Sequence, residues 1–152
     1  MKDLKCIIIE DDKMQSDLLE GFLEEIGSIN ILGKYQDGLD AIRNKTNWES
    51  THIAFIDVEM PKISGLELIE KLPKNISVVL VTSKKDYAVE AFEKKVYNYI
   101  LKPIQLSKLV DIIDSYREEY LSSDHVSNVD SIFLKCHSTY ERIVFNDISV
   151  IR

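Results

Sequence analysis

Four short groups of residues carry the chemistry of this chain: Glu10-Asp11-Asp12, Asp57, Thr82-Ser83 and Lys102-Pro103. Together they supply carboxylates, a hydroxyl and an ammonium. Carboxylates brought close repel one another unless a cation joins them. A hard, oxygen-rich set with few protein ligands suits Mg²⁺, which keeps waters and takes phosphoryl oxygens. A lysine and a hydroxyl nearby are groups that hold such oxygens. If assembled, the four groups make a metal-assisted phosphoryl-transfer site with one carboxylate placed as the nucleophile.

What must assemble them is a set of strands. Each group follows an apolar run. "CIII" (Cys6–Ile9) precedes Glu10, "IAFI" precedes Asp57, "SVVLV" precedes Thr82, and "VYNYIL" precedes Lys102. The continuous run "CIII" is the signature of a strand buried on both faces, and the others read as strands too. "INILGKY" is a weaker strand nearer an edge. Helical spacing fills the gaps: Leu18, Leu19, Phe22, Leu23 and Ile26 share one face, with Asp12 and Gln15 as a capping box and Gly27 suited to the end. "GLDAIRNK" is a short second helix. Gly65 starts a third, entered through backbone freed by the glycine and stopped by Pro73. Asp86 to Lys95 is a fourth, with Ala88, Ala91 and Phe92 facing inward. Leu106, Leu109, Val110, Ile113 and Tyr120 mark a fifth.

Five strands alternating with five helices predict an α/β fold, a doubly wound, mostly parallel sheet with helices on both faces. The crevice of such a sheet lies outside the carboxyl ends of its strands. The four groups stand at those ends, so one rim receives them all. Taken singly, each has a plainer account: Asp57 a turn residue, the acidic run a solvated loop with a cap, Thr82 a strand-end hydroxyl, Lys102 a surface lysine. Their conjunction on one rim favours chemistry.

At this point the sequence resembles a receiver domain of two-component response regulators. The pieces that carry the resemblance are "IIIEDD", "FIDVEMPKISG", "LVTS" and "YNYILKP", in that order, over about residues 1–120. The resemblance implies a flavodoxin-like (βα)5 fold with strand order 2-1-3-4-5. It implies that Asp57 is the phosphoacceptor, charged by a histidine kinase. Asp11 and Asp57 are then direct Mg²⁺ ligands, Glu10 acts through water, and Glu59 offers its backbone carbonyl. Glu10 stands where many relatives have aspartate. Thr82 and Lys102 bind phosphoryl oxygens, a cis Lys102–Pro103 bond turns the lysine inward, and Ser83 takes the place of a smaller residue. Phosphorylation adds about −1.5 to −2 charge, Thr82 moves to it, and Tyr99 rotates inward as the aromatic switch. The fourth helix, fifth strand and fifth helix form the reporting face. Such a chain is a signalling protein, not an enzyme beyond slow self-dephosphorylation.

"KDYAVEAFEKKVYNYILKPI" further resembles bacterial receivers that carry a LytTR-type DNA-binding domain. After Tyr120 the chain turns polar, "LSSDHVSNVD", a linker over 121–130. Residues 131–152, "SIFLKCHSTYERIVFNDISVIR", resemble the β-rich opening of such a domain, with Ile132, Leu134, Ile143 and Phe145 needing cover. The domain needs roughly 100 residues. The expectation is therefore a truncated chain or broken gene, with DNA reached only through a full-length output domain. From residue 121 on there are three basic against four acidic residues, and the whole chain carries net charge −7. Neither favours a direct grip on nucleic acid.

The remaining bounds are simple. At 152 residues and 45% hydrophobic content, the chain is one ordinary domain with an appendage. It shows no run long enough to span a membrane and no signal-peptide pattern, so a cytoplasmic chain is expected. Cys6 and Cys136 read as small buried hydrophobes. A homodimer is an expectation of the class. Two other readings stand beside the receiver: a Mg²⁺-dependent phosphatase of the haloacid-dehalogenase type, whose pattern wants aspartate where Glu59 stands, and an interaction module that works without phosphorylation.

Overall fold

The computed structural model describes residues 3–121. The expected linker beyond Leu121 and the β fragment at 131–152 lie outside these residues. The chain divides into two units, 1–106 and 107–152.

In the first unit five parallel strands form one sheet: β1 (Leu4–Ile9), β2 (Ile29–Tyr35), β3 (Ile53–Asp57), β4 (Ser77–Thr82) and β5 (Asn98–Leu101), in the order β2-β1-β3-β4-β5. β1 and β3 pair with Ile9 opposite Ile56, and β3 pairs with β4 so that Asp57 stands opposite Val81. β2 lies at an edge, as its mixed pattern predicts. Burial follows the alternation of the strands. Ile7, Ile9, Ala54, Ile56, Val78 and Leu80 line one face, packed with Ala41, Trp48, Leu66, Leu68 and Leu72. Cys6, Ile8, Ile53, Phe55, Val79 and Val81 line the other, and all are buried. Both faces are therefore closed, which is why the strands can be apolar without interruption.

The helices of this unit are α1 (Lys13–Ile26), α2 (Gly38–Arg43), α3 (Gly65–Ile69) and α4 (Ala88–Glu93). Three details differ from the sequence pattern. Asp12 caps α1 by accepting from Met14 N and Gln15 N, but its own N–H goes to Glu10 and not to Gln15, so the box is only half made. The full capping box is at α3, where Ser64 and Glu67 exchange hydrogen bonds. On α1 the buried face centres on Leu19 and Leu23, and Leu18, about 100° round the helix from Leu19, is exposed. On α4 only Ala91 is buried, whereas Ala88 and Phe92 face solvent, Phe92 at 57% exposure. Lys85–Tyr87 form a 3-10 turn before it, and the α-helix proper starts at Ala88.

The second unit begins within α5 (Leu106–Tyr116), which continues as a π-helical turn over Arg117–Leu121. Leu109, Ile112, Ile113 and Tyr116 are buried. Tyr116 and Tyr120 bring their ring centroids to 4.8 Å. Tyr120, expected on the apolar face, is 52% exposed.

Candidate phosphoryl-transfer site

The acidic groups meet where the sheet predicts. Glu10, Asp11 and Asp57 each offer a carboxylate oxygen within 4.8 Å of the others. Glu10 and Asp57 are buried and Asp11 is exposed. Asp12 leaves this group to serve as the α1 cap. The donors are hard oxygens at a strand-end crevice, and the set fits a Mg²⁺ ion better than a softer metal.

Glu10 is fully engaged. Its Oε2 accepts from Asp12 N at 3.1 Å, and its Oε1 lies 3.0 Å from Lys102 Nζ. Asp57 is held more loosely: Oδ1 accepts from Glu59 N at 3.3 Å, and Oδ2 lies 3.7 Å from Lys102 Nζ. Burial and the neighbouring Glu10 carboxylate push the Asp57 carboxyl up to about 7, with Lys102 pulling the other way. Burial alone would lower the Lys102 ammonium, but the hydrogen bond to Glu10 and the Asp57 and Glu10 charges outweigh it and raise it. Two buried carboxylates beside one ammonium make a place where a divalent cation would offset the remaining negative charge.

The backbone places the remaining groups. Lys102 N donates to Thr82 O at 2.8 Å, which ties the end of β5 to that of β4. The Lys102–Pro103 bond is cis, as expected. Thr82 is fully buried, and its hydroxyl accepts from Lys84 N at 3.3 Å. Ser83 is exposed. Gly65 has no positive φ, so conformational freedom is not what it supplies. A Cβ there would stand 2.3 Å from Asp57 O, and the need is for space beside the Asp57 peptide.

Sequence reasoning missed one network. Glu59 turns its carboxylate outward, accepting from Tyr87 Oη at 3.0 Å and pairing with Lys84 Nζ at 3.1 Å. Those two partners hold Glu59 below the usual carboxylate range. Tyr99 Oη donates to Lys84 O at 2.6 Å. Burial pushes the half-buried Tyr99 hydroxyl up to about 12. A signal was available: Glu59 and Lys84 each stand two residues past a rim residue, Asp57 and Thr82, on neighbouring parallel strands.

Fold and site together define a doubly wound parallel α/β protein with an acidic, lysine-bearing crevice. The chain belongs to the response regulator receiver domain family, which it matches over residues 6–114. It is 31% identical over 124 residues to a response regulatory protein of Vibrio cholerae, across 80% of this chain and 52% of the relative. It is also 31% identical over 123 residues to the transcriptional regulatory protein BtsR of Escherichia coli K12, across 80% and 51%. The chain thus spans about half the length of these relatives. Among solved structures it is similar to the response regulatory domain of mrkE from Klebsiella pneumoniae: TM-score 0.68 and 28% identity, over 74% of this chain and 94% of that one. A DNA-binding response regulator of the LuxR family from Staphylococcus aureus gives TM-score 0.67 and 30% identity, over 74% and 98%. Among the described residues no helix is long and apolar enough to cross a membrane.

Proposed function

We propose that Asp57 is the phosphoacceptor of a two-component response regulator and takes its phosphoryl group from a histidine kinase. The observation that carries this reading is the crevice itself: a buried Asp57 with one long ion pair to Lys102, beside Glu10 and Asp11. Asp57 Oδ attacks phosphorus, the P–N bond of the donor phosphohistidine breaks, and the imidazole leaves with the electron pair and takes a proton from solvent. Lys102 neutralises charge on the phosphoryl oxygens, and the Thr82 hydroxyl donates to one of them. Asp11 and Asp57, with Glu10 through water and the Glu59 backbone carbonyl, would hold Mg²⁺. That ion, when bound, offsets the charge gathering on the oxygens.

Tyr99, half-buried and hydrogen-bonded to the Lys84 carbonyl, is the switch in this reading. The output is a LytTR-type DNA-binding domain opened by residues 131–152, in a cytoplasmic, dimer-forming regulator. Support for that output is the sequence of 131–152 and the regulatory name of BtsR. Reading the coding DNA past codon 152 tests it.

The phosphoacceptor reading is tested with acetyl phosphate and Mg²⁺, read by intact mass. Wild type should gain one phosphoryl group and, separately, a beryllofluoride adduct, whereas Asp57→Asn gains neither. Absence of both adducts on wild type overturns the reading. Continuous release of phosphate, with no trapped group, points instead to a phosphatase.

A further inference from the structure

His52 stands just before β3, at the opposite end of that strand from Asp57. Its peptide bonds to the strands on both sides. The His52 N–H donates to Lys5 O at 2.8 Å, and the His52 carbonyl accepts from Ser77 N at 2.9 Å. Its ring makes a further bond, in which Lys5 N donates to His52 Nδ1 at 2.9 Å. Other bonds at the strand starts run between peptides: Leu4 N to Ser28 O at 3.0 Å and Tyr97 N to Val78 O at 2.7 Å. Peptide groups do not titrate near neutrality, whereas an imidazole does. His52 is the sole histidine among the described residues.

We propose that His52 is an acid-sensitive clasp between β1 and β3, which holds the Lys5 peptide while its ring is neutral and releases it when the ring is protonated. The bond itself fixes the tautomer. An N–H can donate to Nδ1 only if that nitrogen keeps its lone pair, so the neutral ring carries its hydrogen on Nε2. Protonation puts a second hydrogen on Nδ1. Two donors then face each other, and the bond is lost. The unfolded chain takes this proton freely near pH ~6.5, whereas the folded chain must give up a bond to take it. The stability that the clasp contributes is therefore whole above that pH and is lost as pH falls below it. The charged residues on the neighbouring elements, among those described, are Asp3 and Lys5 on the β1 side, Glu49 in the 3-10 turn before β3, and Lys74 ahead of β4. Acids and lysines together set where the ring titrates, but not the direction of the effect. The strands joined by the clasp are the one that leads into Glu10 and the one that ends on Asp57. The clasp stands whether or not Asp57 accepts a phosphoryl group.

The test follows the isotope-labelled full chain by NMR from pH 8 to pH 5. The His52 Cε1–H shift, assigned by its absence in His52→Asn, reads protonation of the ring. Amide exchange, corrected for the intrinsic effect of pH, gives protection at Lys5 relative to Val79 in β4. Wild type should lose about 3–10-fold of that relative protection as the ring gains its proton. His52→Asn keeps an acceptor that does not titrate, its side-chain oxygen, and should hold Lys5 protection level across the range. His52→Ala should show the loss at every pH. Level protection in wild type while the ring titrates overturns the clasp, as does a ring still neutral at pH 5. An equal acid-dependent loss in His52→Asn overturns it too, by assigning the effect to another group. Should a variant fail to fold, the wild-type titration decides alone.

Discussion

The Lys102 ammonium lies 3.0 Å from Glu10 and 3.7 Å from Asp57, so one cation is shared by two buried carboxylates and sits nearer Glu10 than Asp57. Removing it leaves both carboxylates facing each other in a desolvated crevice. Lys102→Ala should cost about 1–3 kcal/mol of stability in EDTA. Saturating Mg²⁺ should recover much of that loss, because the ion takes over the neutralising charge. Urea unfolding followed by Trp48, the only tryptophan and a buried one, measures both states. An equal loss with and without Mg²⁺ would show that the lysine acts by packing and not by charge.

Asp57 titrates with a defined sign. Its carboxyl moves from 3.8 up to about 7 in the folded chain, so the folded state holds the proton more tightly than the unfolded one. The stability linked to that proton is fully present below 3.8 and is lost as pH rises to about 7. Asp57→Asn removes the titration. Without metal, the variant should match wild type in acid and exceed it by about 1–3 kcal/mol above neutrality. Unfolding free energies from pH 4 to 8 in EDTA give the profile. A gain that is constant with pH contradicts the assigned cause.

Gly65 is required by contact. The Cβ of Gly65→Ala would stand 2.3 Å from Asp57 O and 2.9 Å from Val58 Cα, and both are backbone atoms that cannot swing aside. Gly65 N also donates to Val58 O at 2.8 Å, which fixes the approach. The variant should lose about 2–3 kcal/mol and bind beryllofluoride more weakly than its residual stability explains, because the strain falls on the Asp57 peptide. Gly21→Ala is the control, since a Cβ there meets nothing within 4 Å. Equal behaviour of the two variants would remove the argument.

The strands were legible because a sheet buried on both faces writes an uninterrupted apolar run, and the rim rule then located Glu10, Asp11, Asp57, Thr82 and Lys102 without any knowledge of contacts. The short fourth helix was not legible. Ala88, Ala91 and Phe92 keep helical spacing within α4, yet only Ala91 is buried, and spacing alone does not say which side of so short a helix is covered. The sharing of Lys102 between Glu10 and Asp57 depends on how β1, β3 and β5 are spaced across the sheet, which no local pattern records. The direction of the Glu59 side chain depends on the path of two loops, and the family resemblance named only its backbone.

Asp11 separates metal binding from folding. It is exposed, whereas Glu10 is buried with both carboxylate oxygens engaged. Asp11→Ala should therefore change metal-free stability by no more than about 0.5 kcal/mol. It should also abolish most of the stabilisation that Mg²⁺ confers on wild type, since a ligand that binds only the folded state stabilises by RT ln(1 + [L]/Kd). Glu10→Ala should do the reverse in EDTA: it breaks the Lys102 pair and the Asp12 N–H bond and should destabilise by about 1–3 kcal/mol. Thermal unfolding across a Mg²⁺ series, in EDTA at the origin, compares the three proteins in one experiment. A Mg²⁺-dependent rise in Asp11→Ala equal to that of wild type would place the ion away from this carboxylate and remove Asp11 from the ligand set.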